Sequence, residues 1–313
     1  MKEKGYVTLA VGNTAYFRMA SNLLDSYLFH TSESNRLPFA ILTDKENEYT
    51  SRFDDVVLVD SLPASYMAKI ELLVNLPYKE NIFIDADCLV YRNPEKLWDI
   101  FGGYSGVKCI GLTLPLDSDK GWFRAEDVGE YSDQIPFCIV THGGVMYIKD
   151  DITTKRIYET CLSIIPNYNH YKFQIFSKPA DEPIIALSMS VNNCRPIERS
   201  DTTAIVYCFL AVAYRVKMNI KKGFLSYQGV KGGKWYNDVY ILHWQNKNTS
   251  TPRYFRELDR LSQLNEIVVF FRFVRRSIVF FFASSIPLAY YAFKSFVYKV
   301  MHKWHLIKTE ELI

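Results

Sequence analysis

Short apolar runs alternate with segments of helical spacing through the first third of the chain, and that alternation leaves few folds open. Residues 6–11 (YVTLAV), 38–42 (PFAIL), 56–59 and 81–84 read as buried strands. Between them, residues 16–29 and 68–76 carry apolar side chains at helical spacing, the second segment stopping at Pro77. Strand and helix in alternation predict an α/β domain with a mostly parallel, mixed sheet and flanking helices. Further strands are expected at residues 107–114 (VKCIGLTL), 139–148 and 239–242. The polar, acidic stretch 117–135 is long for a simple connection and reads as a loop over a site. With 313 residues, 49% of them hydrophobic, the chain has ample core. No repeat or low-complexity linker divides it before about residue 260.

Ligands of open α/β sheets bind beyond the carboxyl ends of the strands. There the apolar run Ile82-Phe83-Ile84 ends in Asp85-Ala86-Asp87. Buried carboxylates this close are costly unless something cationic pairs with them. Residues i and i+2 of a strand point the same way, so Asp85 and Asp87 can converge on one hard divalent cation. Mg2+ or Mn2+ takes oxygen ligands and bridges to substrate phosphates. A solvated turn is the competing reading, and it is the one given to a second D-x-D, Asp117-Ser118-Asp119.

The net charge of +3 excludes a dedicated nucleic-acid binder. Residues 264–313 hold seven Lys/Arg against three Asp/Glu, so the basic character belongs to the tail. Six singly placed cysteines (Cys88, Cys109, Cys138, Cys161, Cys194, Cys208) read as buried free thiols in a reducing compartment. Residues 1–5 are polar and run straight into a strand, so neither a signal peptide nor an N-terminal anchor is expected.

Residues 67–99 (MAKIELLVNLPYKENIFIDADCLVYRNPEKLWD) resemble the core block of the family-8 glycosyltransferases, which include glycogenin and the bacterial lipooligosaccharide galactosyltransferases. Residues 6–16 (YVTLAVGNTAY) are similar to that family's first strand and nucleotide loop. Residues 141–150 (THGGVMYIKD) resemble its N-[AS]-G-V strand, and 241–247 (ILHWQNK) its late H-F metal-ligand strand. The four blocks stand in the family's order. The resemblance implies a GT-A nucleotide-diphospho-sugar transferase fold over residues 1–263. It implies transfer of a hexose from a UDP-sugar, with Mn2+ or Mg2+, to a glycan or lipid-linked acceptor with retained configuration.

Carried over residue by residue, Asp85, Asp87 and His243 would be the metal ligands. Leu9, Ala10, Asn13, Tyr16 and Ala86 would line the nucleotide, and Lys69 would contact the donor. His142, Gly143 and Gly144 would lie against the donor sugar, although the family usually has Asn where His142 stands. Asp181 and Glu182 would be catalytic, with Glu182 in place of the family's Gln. The family's Lys-Pro-Trp grip on the diphosphate is missing; Lys247 replaces it at short spacing, with Lys231 and Lys234 as other candidates.

Each residue has a plainer reading. His243 reads also as a core histidine, Lys69 as a snorkelling helix lysine, Tyr16 as a packed aromatic. Gly143-Gly144 reads as a β-bulge and Asp181 as a helix N-cap.

Residues 267–304 interleave aromatics with Arg272, Arg275, Arg276, Lys294, Lys299 and Lys303. The uncharged run 277–293 has 17 residues, at the lower limit of the about 17 to 25 a span needs, and Pro287 interrupts it. Peripheral attachment to anionic lipid fits this tail, 264–313, best. The enzyme would then work at the cytoplasmic face of the membrane, in surface-polysaccharide or lipopolysaccharide-type biosynthesis. A haloacid-dehalogenase-type phosphatase also ends a strand in D-x-D, but it needs Gly-Thr where Cys88-Leu89 stand. The alternative from another class is a catalytically degenerate, membrane-bound scaffold that binds UDP-sugar.

Overall fold

A computed structural model describes residues 2–60, 62, 67–173, 179–199, 202, 204–207, 216–228 and 234–283. Cys208, Lys231, Pro287 and the rest of the tail beyond residue 283 lie outside the described residues, as does the side chain of Lys247.

In chain order the strands are β1 (Lys2–Ala10), β2 (Phe39–Thr43), β3 (Asp55–Leu58), β4 (Tyr78–Ile84), β5 (Cys88–Val90), β6 (Val107–Leu114), β7 (Cys138–Lys149), β8 (Ile197–Glu198), β9 (Ile205–Tyr207), β10 (Val216–Asn219), β11 (Phe224–Gln228), β12 (Trp235–Tyr236) and β13 (Ile241–His243). The helices that frame the sheet are α1 (Thr14–His30), α2 (Ala68–Glu71), α3 (Lys96–Phe101), α4 (Ile152–Ile164) and α5 (Asp181–Val191).

Seven strands form the central sheet in the order β3-β2-β1-β4-β7-β6-β8. The first four run parallel, β7 lies antiparallel between β4 and β6, and β8 is parallel to β6. This is the mixed, largely parallel α/β sheet with flanking helices that the alternation of runs predicts. Its inner strands are apolar without alternation because both faces are covered. Tyr6, Ile82 and Ile84 pack with Phe17, Leu23 and Trp98 of α1 and α3 on one side. Val7, Leu42 and Phe83 pack with Ile70, Ile157 and Ile184 on the other. Two small sheets, β5-β13-β9 and β10-β11-β12, stand beside it.

Two local expectations change. The helix read over 68–76 is only Ala68–Glu71. Val74 and Asn75 are weak helix formers, and the residue before Pro77 is pushed out of the helical region. The stretch 117–135 is not polar throughout: Phe123, Val128 and Ile135 are buried in the core that holds Ile157 and Ile184, while Asp117 and Asp119 are exposed on a turn. The five described cysteines are free and buried.

The chain divides into two compact units, Met1–Asn246 and Lys247–Ile313. In the second, the helix Pro252–Leu261 is started by Thr251, whose side chain accepts the Tyr254 N–H, and residues 266–283 are helical. Asp259 of the first helix takes Arg272 at 3.2 Å and Arg276 at 2.5 Å. Glu257, fully buried, takes Arg260 at 2.8 Å. Ile267, Phe270, Phe271, Ile278 and Phe281 are exposed along the tail helix. No helix among the described residues is long and apolar enough to cross a membrane.

Candidate active site

The site is built where β4 gives out. The Asp85 N–H continues the ladder to the Gly144 carbonyl at 2.9 Å. A tight turn follows, closed by the Cys88 N–H on the Asp85 carbonyl at 2.9 Å, and the chain returns as β5. Strand β13 pairs antiparallel with β5 and sets His243 opposite Cys88. The Trp244 N–H then bonds the Asp87 carbonyl at 3.0 Å. Strand register thus delivers a histidine from late in the chain to the two aspartates.

His243 Nε2 lies 3.1 Å from Asp87 Oδ1 and 3.8 Å from Asp85 Oδ2. Neighbouring ligand atoms of an octahedron with bonds of about 2.1 Å stand about 3 Å apart; His243 and Asp87 are at that separation, while Asp85 Oδ2 is further off and already paired with Lys69. The donor set of two carboxylates and an imidazole suits Mn2+. Asp87, Cys88 and His243 present ligand atoms within 4.8 Å of one another. The aspartate side chains are partly buried, 22% and 15% exposed.

A second group of acids faces the first across Lys69. Its Nζ lies 3.1 Å from Asp85 Oδ2 and 3.0 Å from Asp181 Oδ2, and donates to the Gly143 carbonyl at 3.2 Å. The lysine is 7% exposed, so it does not snorkel to solvent. Asp181 is not the helix N-cap. Ala180 holds that position, and Asp181 and Glu182 fill the first turn of α5, where the helix dipole favours acids. Glu182 Oε1 accepts the Gly143 N–H at 2.9 Å.

Gly143 and Gly144 lie in a β-bulge, as their plainer reading has it. Cys109 pairs with Met146 and Gly111 with Thr141, so residues 142–145 of β7 slip out of the β6 ladder. That slip frees the peptide groups of Gly143 for Glu182 and Lys69. A Cβ on Gly144 would sit 2.5 Å from His243 Nδ1, a contact only glycine avoids.

Burial shapes the electrostatics. It pushes the Asp85 carboxyl up against the pull of Lys69, and Asp87 adds to the push. Glu182 rises for the same first reason, opposed by the Gly143 N–H. Burial works to discharge Lys69, but Asp181 and Asp85 outweigh it and hold the ammonium charged. His243 is also pulled down by burial and raised further by its hydrogen bond to Asp87. His142 is driven down to about 3 by burial and by the positive charges of Arg199 and His243, so it stays neutral.

At the end of β1, Leu9 is half-buried, Ala10 lies in the core, and Asn13 caps α1 by accepting the Ala15 N–H at 2.8 Å. The Tyr16 ring is 37% exposed and is no core aromatic. Ala86 is buried between the aspartates, and Lys234 is exposed. Sequence reasoning passed over Asp44. Its carboxylate accepts the N–H of Gly12 at 3.1 Å, and Gly12 holds a φ of +70°, which favours glycine. The signal was there: another aspartate ending an apolar parallel strand.

No family model and no curated protein matches the chain. Solved structures it is similar to include glycosyltransferases. The apo structure of the bifunctional glycosyltransferase WbbM is 14% identical, with a TM-score of 0.52 over 87% of this chain and 52% of that one. The galactosyltransferase LgtC, in complex with donor and acceptor sugar analogues, is 13% identical, with a TM-score of 0.46 over 67% of this chain and 77% of LgtC. GlyE of Streptococcus pneumoniae TIGR4 is 13% identical, with a TM-score of 0.42 over 64% and 46%. This chain spans about half the length of GlyE and of WbbM. At such identities the likeness is one of fold alone, carried by the WbbM match: a mixed α/β architecture with flanking helices.

Proposed function

We propose that this chain is a metal-dependent glycosyltransferase of the family-8 type. It moves a hexose from a UDP-sugar to a glycan or glycolipid acceptor with retention, in the building of a surface polysaccharide. The observation that carries this reading is the meeting of Asp85, Asp87 and His243 at the carboxyl end of a parallel sheet, with Asp181 and Glu182 across Lys69. Asp85, Asp87 and His243 would hold Mn2+ or Mg2+, which supplies positive charge beneath a diphosphate leaving group. Leu9, Asn13 and Tyr16, at the end of β1 and the start of α1, would border the nucleoside. Asp181 and Glu182 face the sugar's reacting carbon and stabilise positive charge there as the bond to UDP breaks.

The exposed apolar side chains of the tail helix support attachment to a membrane surface, which we take to be the cytoplasmic one. Two of the three tail arginines are already tied to Asp259. The contact therefore rests on the aromatics, on Arg275 and on the lysines further along. Co-sedimentation of the full chain with phosphatidylglycerol vesicles, but not with phosphatidylcholine vesicles, is the expected result. Equal failure with both would end the membrane part of the proposal.

The activity is tested by UDP release from a panel of UDP-sugars, with Mn2+ and with EDTA, on the wild type and Asp87→Ala. Metal-dependent turnover of one donor, lost in the variant, is expected. UDP binding without turnover of any donor would move the reading to a sugar-nucleotide-binding scaffold.

A further inference from the structure

The Lys69 ammonium donates to Asp85 at 3.1 Å and to the Gly143 carbonyl at 3.2 Å, and stands in ion-pair contact with Asp181 at 3.0 Å. The Phe83 ring, its centroid 5.2 Å away, takes up another side of the charge. A Cβ on Gly143 would lie 3.2 Å from Nζ and 3.4 Å from both Asp181 Oδ2 and Glu182 Cγ, so the enclosure is tight. The peptide of Gly143 is held on both sides, its carbonyl by Lys69 and its N–H by Glu182.

We infer that Lys69 is a positioning residue and not a contact to the donor: a fixed internal cation that ties the strand-end aspartate Asp85 to the first turn of α5 through Asp181 and Gly143. Without it, Asp85 and Asp181 would be two buried carboxylates with no cation between them, each repelled by the other and by Glu182. With it, the metal-binding half of the site and the sugar-facing half keep a set distance. The kinetic arm of the test rests on the transferase reading; the stability arm does not.

The stability arm uses thermal unfolding of the full chain without nucleotide. Lys69→Met is expected to lower Tm by roughly 5–10 °C, the scale of a broken buried pair in a chain this size. Adding Asp181→Asn removes one of the uncompensated acids, so the double variant is expected to unfold no lower than Lys69→Met alone. If Lys69→Met does not fold, the same comparison is read as recovery of soluble, folded protein in the double variant. Losses that simply add, or no recovery, would overturn the inference.

The kinetic arm uses whichever UDP-sugar the wild type turns over. A positioning role predicts a fall in kcat of about 100-fold with the donor KM within about 3-fold. A KM raised about 30-fold with kcat kept would show that Lys69 grips the donor instead. A wild type that turns over no UDP-sugar ends the transferase reading and leaves the Tm comparison to decide the role of Lys69.

Discussion

Two clusters of buried acids in this molecule differ in one respect, the supply of cations. In the second compact unit, Asp259 meets Arg272 and Arg276, and Glu257 meets Arg256 and Arg260. Charge is balanced there by side chains alone, and the cluster clasps the tail helix to Pro252–Leu261. At the end of β4, by contrast, Asp85, Asp87, Asp181 and Glu182 share one lysine and one histidine. Acids gathered in excess and shielded from water are costly to hold. The first arrangement is finished as it stands. The second holds more acids than cations, as the proposed metal would require, and that difference sets the candidate site apart from a structural ion cluster.

The comparison breaks most severely if the excess charge at the strand end is irrelevant. Asp87→Ala should cost about 10³-fold in metal-dependent UDP release, since a cation is worth several kcal/mol at a leaving group and each 1.36 kcal/mol is a decade. Mn2+ titration of wild type and variant checks the cause. Next comes Gly144→Ala, whose Cβ would strike His243 at 2.5 Å. Turnover should fall by about 100-fold and metal affinity with it, as expected when a ligand is displaced and not deleted. An unchanged variant would mean that His243 has room to move and is not fixed by register.

Asp259→Asn sharpens the other side. It leaves Arg272 and Arg276 without their acid, and because both arginines are partly exposed the loss should be only about 1–2 kcal/mol. Hydrogen exchange should quicken across residues 266–283, while UDP release stays within about 2-fold of wild type. A large loss of turnover would show that the second unit is no separate structural device. The smallest effect is expected at Tyr16. Tyr16→Ala should raise the KM for the donor by about 5–10-fold, the scale of one aromatic stacking contact. Its Tm should hold, because the ring is exposed; Tyr16→Phe should behave as wild type.

Much of this was legible in the order of residues. Apolar runs buried on both faces can only be the inner strands of a covered sheet, so β1, β2, β4, β6 and β7 follow from composition and spacing. The placing of Asp85 and Asp87 at a strand's carboxyl end follows from the same pattern, because the apolar run stops there. Local spacing could not reveal β5, three residues long, or the shortness of α2, both of which depend on what packs around them. Nor could it show that Phe123 and Val128 of the acidic stretch 117–135 enter the core, since a polar composition conceals the few apolar side chains that are buried.

The sequence by itself determined that two carboxylates end a buried strand, for the side-chain period of a strand is local and fixed. Only the tertiary structure decided which groups answer them. The pairing of β13 with β5 brings His243 to Asp87, the slip in the β6–β7 ladder frees Gly143, and Lys69 turns inward to Asp85 and Asp181. These relations are set by hydrogen-bond register and close packing, and the spacing of residues along the chain does not specify them.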